Sequence, residues 1–315
     1  MSSLFRNPSE LQISHTIKAL IYGDPGSGKT TLALSAPTPL LLDFDGGIQR
    51  VNGAFQCPTL QVENWEQVND ALEEIESGSV PCKTIVIDTA GKMLDYMAAY
   101  IIKQDSTKGQ RDGSLTLKGY GVRKTMFINF LKKVSLMGKH VVFIAHIKEE
   151  KDGDTRLIRP EIGGSSAGDL IKELDLVGYM SKVGKDRVVY WSGDERFYAK
   201  NTCNLPAAHK VLTIVDEKGM VTGENNFLSL VFAQYERDLQ NAAAIRAKYD
   251  KLISSFGRGI EAVTDAETAN EVFAKIEGYA SHVWDSKMRT EKMLAAKAQS
   301  IGLKYDPINQ KYEAA

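Results

Sequence analysis

Short apolar runs alternate with helical patterns over the first two thirds of the chain, as expected of a parallel sheet wrapped by helices. The runs are 16–22 (TIKALIY), 39–44 (PLLLDF), 84–88 (TIVID), 140–146 (HVVFIAH), 174–183 (LDLVGYMSKV) and 186–192 (DRVVYWS). Their near-continuous Val, Ile and Leu content predicts strands covered on both faces. Between them the spacing predicts helices over 29–35, 64–76, 91–104 and 120–137. Met93, Leu94, Met97 and Ile101 recur at helical intervals in the third of these, and Phe127, Phe130, Leu131 and Val134 in the fourth. Such stripes predict core-facing sides. From 226 to 297 the pattern is helical alone, with breaks expected at Gly257-Arg258-Gly259 and Gly302 and a helix start at Thr264. The expected organisation is an α/β core, 1–222, with a mostly parallel sheet, followed by a helical C-terminal domain, 223–315.

Composition narrows the function classes. The chain has 315 residues, room for one large domain and a smaller one. A net charge of -1 gives no global attraction to nucleic acid, so any such site must be a local patch. Cys57, Cys82 and Cys203 lie far apart with no CxxC pair, which argues against a disulfide framework or a zinc site and fits a reducing interior. The segment MSSLFRNPSELQ lacks a basic-then-apolar secretion pattern, and no apolar run approaches the ~20 residues that span a bilayer. A soluble, intracellular protein with no membrane partner is expected.

The run GDPGSGKTT places Gly23, Gly28, Lys29 and Thr30 at the spacing GxxxxGK[ST], after an apolar strand and before a helix. Glycines let successive backbone N–H groups turn inward toward phosphate oxygens, and the following helix adds partial positive charge. Gly23, Asp24, Pro25, Gly26, Ser27, Gly28, Lys29, Thr30 and Thr31 are thus the expected nucleotide-binding set. Lys29 would reach the β and γ phosphates of ATP, and the Thr30 hydroxyl would ligate Mg2+. Asp88 closes the strand TIVID and offers the carboxylate that steadies the magnesium shell, the Walker B arrangement. Thr89 follows it, where ATPases of the AAA+ type usually carry a glutamate. The run LLLDFDGG supplies other acids: Asp45 is the candidate base that orients water, with Asp43 as the alternative. The same residues also read as a turn, Asp45-Gly46-Gly47.

Taken in order, GDPGSGKTT, LLLDFDGG, TIVIDTAG, VVFIAHIKEE, IRPEIGGSSAGDLIKELDLVGYM and FYAKNTCNLP resemble the RecA-fold P-loop ATPases. More closely, they resemble the phage-encoded ATPases of the Sak group, which act in single-strand annealing and recombination. The likeness covers about residues 16–206. It implies a ring or filament with ATP at subunit junctions, acting on single-stranded DNA in the host-cell cytoplasm. A single-strand-binding protein or other recombination proteins would be its partners. His146 falls where that family has a polar γ-phosphate sensor. Residues 148–168 match its second DNA-binding loop, with Gly163, Gly164 and Ser165 offering backbone donors to a sugar-phosphate chain. The first such loop falls within 105–119. From 103 to 133 there are eight basic residues against two acidic ones, and Lys108, Arg111 and Lys118 are the expected DNA contacts. Lys200 matches a cation that reaches into a neighbouring subunit's ATP site. Thr202 stands where a second lysine is usual, so Arg196 is a candidate to share that role. Two other readings stay open: a nucleotide-gated assembly or adaptor protein with weak turnover, and a P-loop kinase, for which no arginine-rich lid is visible.

Overall fold

The computed structural model describes residues 16–153 and 155–315. Its strands are β1 (Lys18–Gly23), β2 (Pro39–Asp43), β3 (Thr59–Gln61), β4 (Thr84–Asp88), β5 (His140–Ala145), β6 (Ile147–Asp152), β7 (Thr155–Pro160), β8 (Leu176–Val183), β9 (Asp186–Tyr190), β10 (Lys200–Asn201), β11 (Ala208–Val211), β12 (Leu303–Asp306) and β13 (Lys311–Ala314). Its helices are α1 (Lys29–Ala33), α2 (Trp65–Ser77), α3 (Ala90–Gln104), α4 (Leu117–Leu136), α5 (Ser166–Glu173), α6 (Phe227–Glu261), α7 (Ala266–Glu277) and α8 (Ser286–Ser300). The chain divides into two compact units, with the division at Tyr235/Glu236, inside α6.

The first unit is built on a sheet ordered β11-β9-β8-β1-β5-β4-β2-β3. The run β8-β1-β5-β4-β2-β3 is parallel, while β9, β10 and β11 join one side antiparallel. Alternation along each strand sends side chains into two cores. Leu20, Tyr22, Ile85, Ile87, Val141 and Phe143 meet the apolar stripes of α2, α3 and α4, including Met93, Met97, Phe127 and Val134. Ala19, Ile21, Val86, Val142 and Ile144 meet Leu32 and Ala33 of α1 and Leu228, Val231 and Phe232 of α6. Burial of each such leucine or valine contributes roughly 1.5–3 kcal/mol. The helix starts are capped: Asn64, Thr89 and Thr116 accept from backbone N–H groups in the first turns of α2, α3 and α4.

Several segments depart from the sequence-based expectation. The stretch 148–168, expected as a DNA-binding loop, is mostly the hairpin β6–β7, and α5 begins at Ser166. These strands, IKEEKD and TRLIRP, are charged and short of apolar alternation, so no period marks them. α6 runs unbroken through Gly257 and Gly259 to Glu261. A methyl group on Gly257 would make ordinary contact with Met293 Cε of α8, at 3.5 Å, so the glycine marks neither a tight approach nor a helix end. α7 is capped by Asp265, one residue past the expected start, with Thr268 completing a capping box. The hairpin β12–β13 follows Gly302, whose φ of +79° lets the chain reverse. Among the described residues, no helix is long and apolar enough to cross a membrane. Cys57, Cys82 and Cys203 are free thiols.

Candidate functional site

The phosphate loop leaves β1 at Gly23 and enters α1 at Lys29. Gly23 is obligatory: a Cβ there would sit 2.2 Å from the Met180 carbonyl oxygen of β8. Gly28 precedes Lys29 in the left-handed region, at φ +96°, which only glycine adopts without strain. Lys29 is buried, and its Nζ donates to the carbonyls of Gly23 at 2.9 Å and Asp24 at 2.8 Å. Burial pushes its pKa down, opposed by the carboxylates of Asp88, Asp24 and Asp45 around it. The Thr30 hydroxyl donates to Asp88 Oδ2 at 2.6 Å. Ser27 Oγ is buried and has no hydrogen-bond partner among the described residues. Asp24, Pro25 and Gly26 form the exposed crest of the loop, and the Thr31 carbonyl accepts from Asn225 Nδ2.

Asp88 sits at the end of a fully buried strand and is itself only 4% exposed. Burial raises its pKa, and the Thr30 hydrogen bond works against that; Asp43 and Asp45 raise it further, and Lys29 lowers it. An orphaned serine hydroxyl and a buried ammonium beside a carboxylate–threonine pair fit a magnesium-bound triphosphate. Thr30 and Asp88 would hold the metal, which supplies charge neutralisation at the phosphate oxygens.

The two aspartates of LLLDFDGG differ in role. Asp43 is 2% exposed, and its carboxylate accepts from the backbone N–H groups of Asp45, Gly47 and Ile48. It folds the turn that presents Asp45. The Asp45 carboxylate lies 3.9 Å from His146 Nε2 and 3.5 Å from an Arg50 guanidinium nitrogen. His146 follows β5 directly, its Nδ1 is buried without a hydrogen-bond partner among the described residues, and its carbonyl accepts from Glu161 N–H at 2.8 Å. Lys29, Thr30, Asp88, Asp45 and His146 are therefore brought together at the carboxyl ends of neighbouring parallel strands, where open α/β sheets bind ligands.

Lys200 lies elsewhere. Its ammonium donates to the carbonyls of Ile171 and Leu174, where α5 ends, so it caps a helix of its own chain. That differs from the outward reach implied by the resemblance. Arg196 is exposed and pairs with Asp194. Of the residues expected to meet DNA, Lys108, Arg111 and Lys118 lie on the segment joining α3 to α4 or at the start of α4. That segment is ordered by a 3-10 turn at 106–108 and a Gly109–Leu115 bridge. Gly163, Gly164 and Ser165 form the turn before α5. Methyl groups on Gly163 and Gly164 would lie 3.6 and 3.8 Å from an Arg123 guanidinium nitrogen, so the turn before α5 lies beside that arginine of α4, which falls outside the 105–119 segment.

Three residues of the site carry no sequence signal of the usual kind. Arg50 and Arg123 belong to no motif. Arg187 keeps period-2 phase with the buried Val189 and Trp191, and a charge in phase with a core is a signal that alternation alone could have flagged.

Fold and site together define a P-loop nucleoside triphosphatase domain. The chain belongs to the AAA domain family, which its residues 15–203 match. It is 28% identical over 176 residues to the SPbeta prophage-derived uncharacterized protein YorG of Bacillus subtilis, an alignment covering 53% of this chain and 51% of that protein. The chain thus spans about half the length of that relative. It is also similar in structure to the KaiC-like protein PH0186 from Pyrococcus horikoshii OT3, at 11% identity over 55% of this chain and 77% of that one, with a TM-score of 0.32.

Proposed function

We propose that this protein is an ATPase of DNA recombination or single-strand annealing, which binds single-stranded DNA as an oligomer and couples that binding to ATP hydrolysis. One continuous path carries the reading. Asp45 faces His146 Nε2 at 3.9 Å, the His146 carbonyl holds Glu161 N–H, and the glycines two and three residues on pack against Arg123. A change at the γ phosphate felt by Asp45 and His146 would pass along this path to the basic helix α4. Asp45 takes the proton from the attacking water and His146 holds the carboxylate in place. Lys29 bears on the oxygens of the transferring phosphoryl group.

The DNA side is supported by a groove of about 940 Å3 between α2, α3 and α4. Lys108, Lys118 and Lys133 line it beside the half-buried Tyr100, a combination suited to a phosphate chain and an unstacked base, while Trp65 at its floor is buried against Phe130. The prophage origin in the name of the YorG relative accords with a phage recombination role. The reading is tested by fluorescence anisotropy with a labelled oligo-dT in saturating Mg·ATPγS and in Mg·ADP. Affinity should differ about 10-fold or more between the two states. Equal affinity, or none, rejects it. Oligo-dT binding without ATP turnover favours the adaptor reading, for which the Asp45–Arg50 ion pair is the supporting observation, since it draws the carboxylate aside.

A further inference from the structure

Five buried side-chain polar atoms lack a hydrogen-bond partner among the described residues. Two of them, Glu66 Oε2 and Asp169 Oδ2, belong to carboxylates already ion-paired with Lys103 and Lys124. The other three are Ser27 Oγ, His146 Nδ1 and Arg187 Nε. Ser27 and His146 lie in the site described above. Arg187 comes from the other side of the phosphate loop, and neither the nucleotide motifs nor the resemblance assigns it a role.

Its placement follows from the strand. β8 and β9 form a hairpin that reverses after Val183 through Gly184, at φ +62°, and pairs Lys182 with Arg187. On β9 and just beyond it, residues 187, 189 and 191 share one face. Val189 and Trp191 bury that face in the core that holds Leu32 and Ala33 of α1 and Met180 of β8. Arg187 is the first residue of this row, at the end nearest the phosphate loop. Measured from where a Cβ on Gly28 would stand, Arg187 Nε is 3.6 Å away, Arg187 Cδ 3.9 Å and Met180 Cε 3.8 Å. The arginine stem and the methionine methyl therefore wall one side of Gly28. The guanidinium base lies against the loop backbone with a buried N–H that no described residue accepts.

A buried donor without an acceptor is costly unless a ligand completes it. Beside a phosphate loop the completing group is anionic, and a guanidinium offers several donors in a planar fork suited to phosphate oxygens. We infer that Arg187, from the β8–β9 hairpin of the same chain, contacts the polyphosphate of the bound nucleoside triphosphate across Gly28. The inference rests on the Mg·NTP reading of the loop. It gives the site a cation supplied in cis, on the side opposite Asp45 and His146. The Lys200 ammonium, by contrast, donates to carbonyls at the end of α5.

The test is calorimetric titration of Mg·ATP into the full chain carrying Arg187→Met or Arg187→Lys, with thermal unfolding of each protein without nucleotide. Methionine keeps the apolar stem against Gly28 and removes every donor. Arg187→Met should weaken Mg·ATP binding about 10- to 100-fold while leaving the nucleotide-free melting temperature at or above wild type. Arg187→Lys keeps the charge but loses the fork, and should fall between wild type and Arg187→Met. Wild-type affinity in either folded variant overturns the inference and leaves the phosphate-loop assignment intact. A fall in melting temperature with unchanged affinity shows a packing role only and overturns it as well. Failure of the wild-type chain to bind Mg·ATP removes both the inference and the reading beneath it.

Discussion

Around the phosphate loop, three buried polar atoms lack hydrogen-bond partners among the described residues; along α3, α4 and the segment between them, four lysines are already ion-paired. Ser27 Oγ, His146 Nδ1 and Arg187 Nε are all unsatisfied. By contrast, Lys103, Lys108, Lys124 and Lys133 are ion-paired with Glu66, Asp105, Asp169 and Glu76. Unsatisfied donors and acceptors in a low-dielectric pocket are expensive, and their clustering specifies a ligand closely. Exposed ion pairs are worth at most about 1 kcal/mol and exchange readily for other anions, so they permit a phosphate chain without demanding one. The first region defines a chemistry; the second defines only a charge.

The sharpest way to break that contrast is to remove the buried cation. Lys29→Ala should lower ATP turnover by at least about 1,000-fold in a steady-state phosphate-release assay. Near-normal turnover would show that the loop does not hold the reacting phosphates. Asp45→Asn comes next: turnover should fall about 100- to 1,000-fold while calorimetry still detects Mg·ATP binding. Asp43→Asn should instead lower the melting temperature, because three backbone N–H groups depend on that carboxylate. On the exposed side, joint replacement of Lys108, Arg111 and Lys118 by alanine should reduce the salt slope of oligo-dT binding by roughly two, since each neutralised phosphate of a single strand adds ~0.7 to it. An unchanged slope would remove that segment from the DNA path.

Smaller effects test the scaffold. Trp191, fully buried, donates its indole N–H to His209 Nδ1 at 3.0 Å. His209→Ala leaves that donor unmatched and should cost about 1–3 kcal/mol in chemical denaturation. Burial holds the His209 pKa below its ordinary 6.5 in the folded protein. As pH falls below 6.5 the unfolded chain binds the proton first, so stability declines until the folded histidine also titrates, and the His209→Ala protein should lack that component. The smallest effect is in α6: Gly259→Ala meets only Val272 Cγ2 at 3.9 Å and should raise stability by about 0.5–1 kcal/mol.

What the sequence made legible follows the same division. The parallel strands β1, β2, β4, β5 and β8 were readable because both their faces are buried and their residues are apolar throughout. Lys29, Thr30 and Asp88 were readable because phosphate and magnesium chemistry fixes residue type and spacing. β6 and β7 were not, since charged strands carry no apolar period. β3 and β10 span three and two residues, too few to show one. Gly257 and Gly259 suggested a break because glycine disfavours helix, yet α6 continues through both. In sequence Asp45 was the candidate base and Asp43 its alternative. Only the hydrogen bonds of the turn separate the carboxylate that builds it from the one it presents. Arg123 lies beside Gly163 and Gly164, neighbours distant in sequence that no local pattern encodes, whereas Arg187 could have been flagged by its phase with Val189 and Trp191.

The most direct measurement is ATP turnover by the purified chain as oligo-dT is titrated in at low salt. If the buried site and the basic face are coupled through His146, Glu161 and the glycine turn, turnover should rise severalfold to a plateau and fall back as salt displaces the strand. A rate that stays flat while anisotropy shows the strand bound would mean that the two regions act independently.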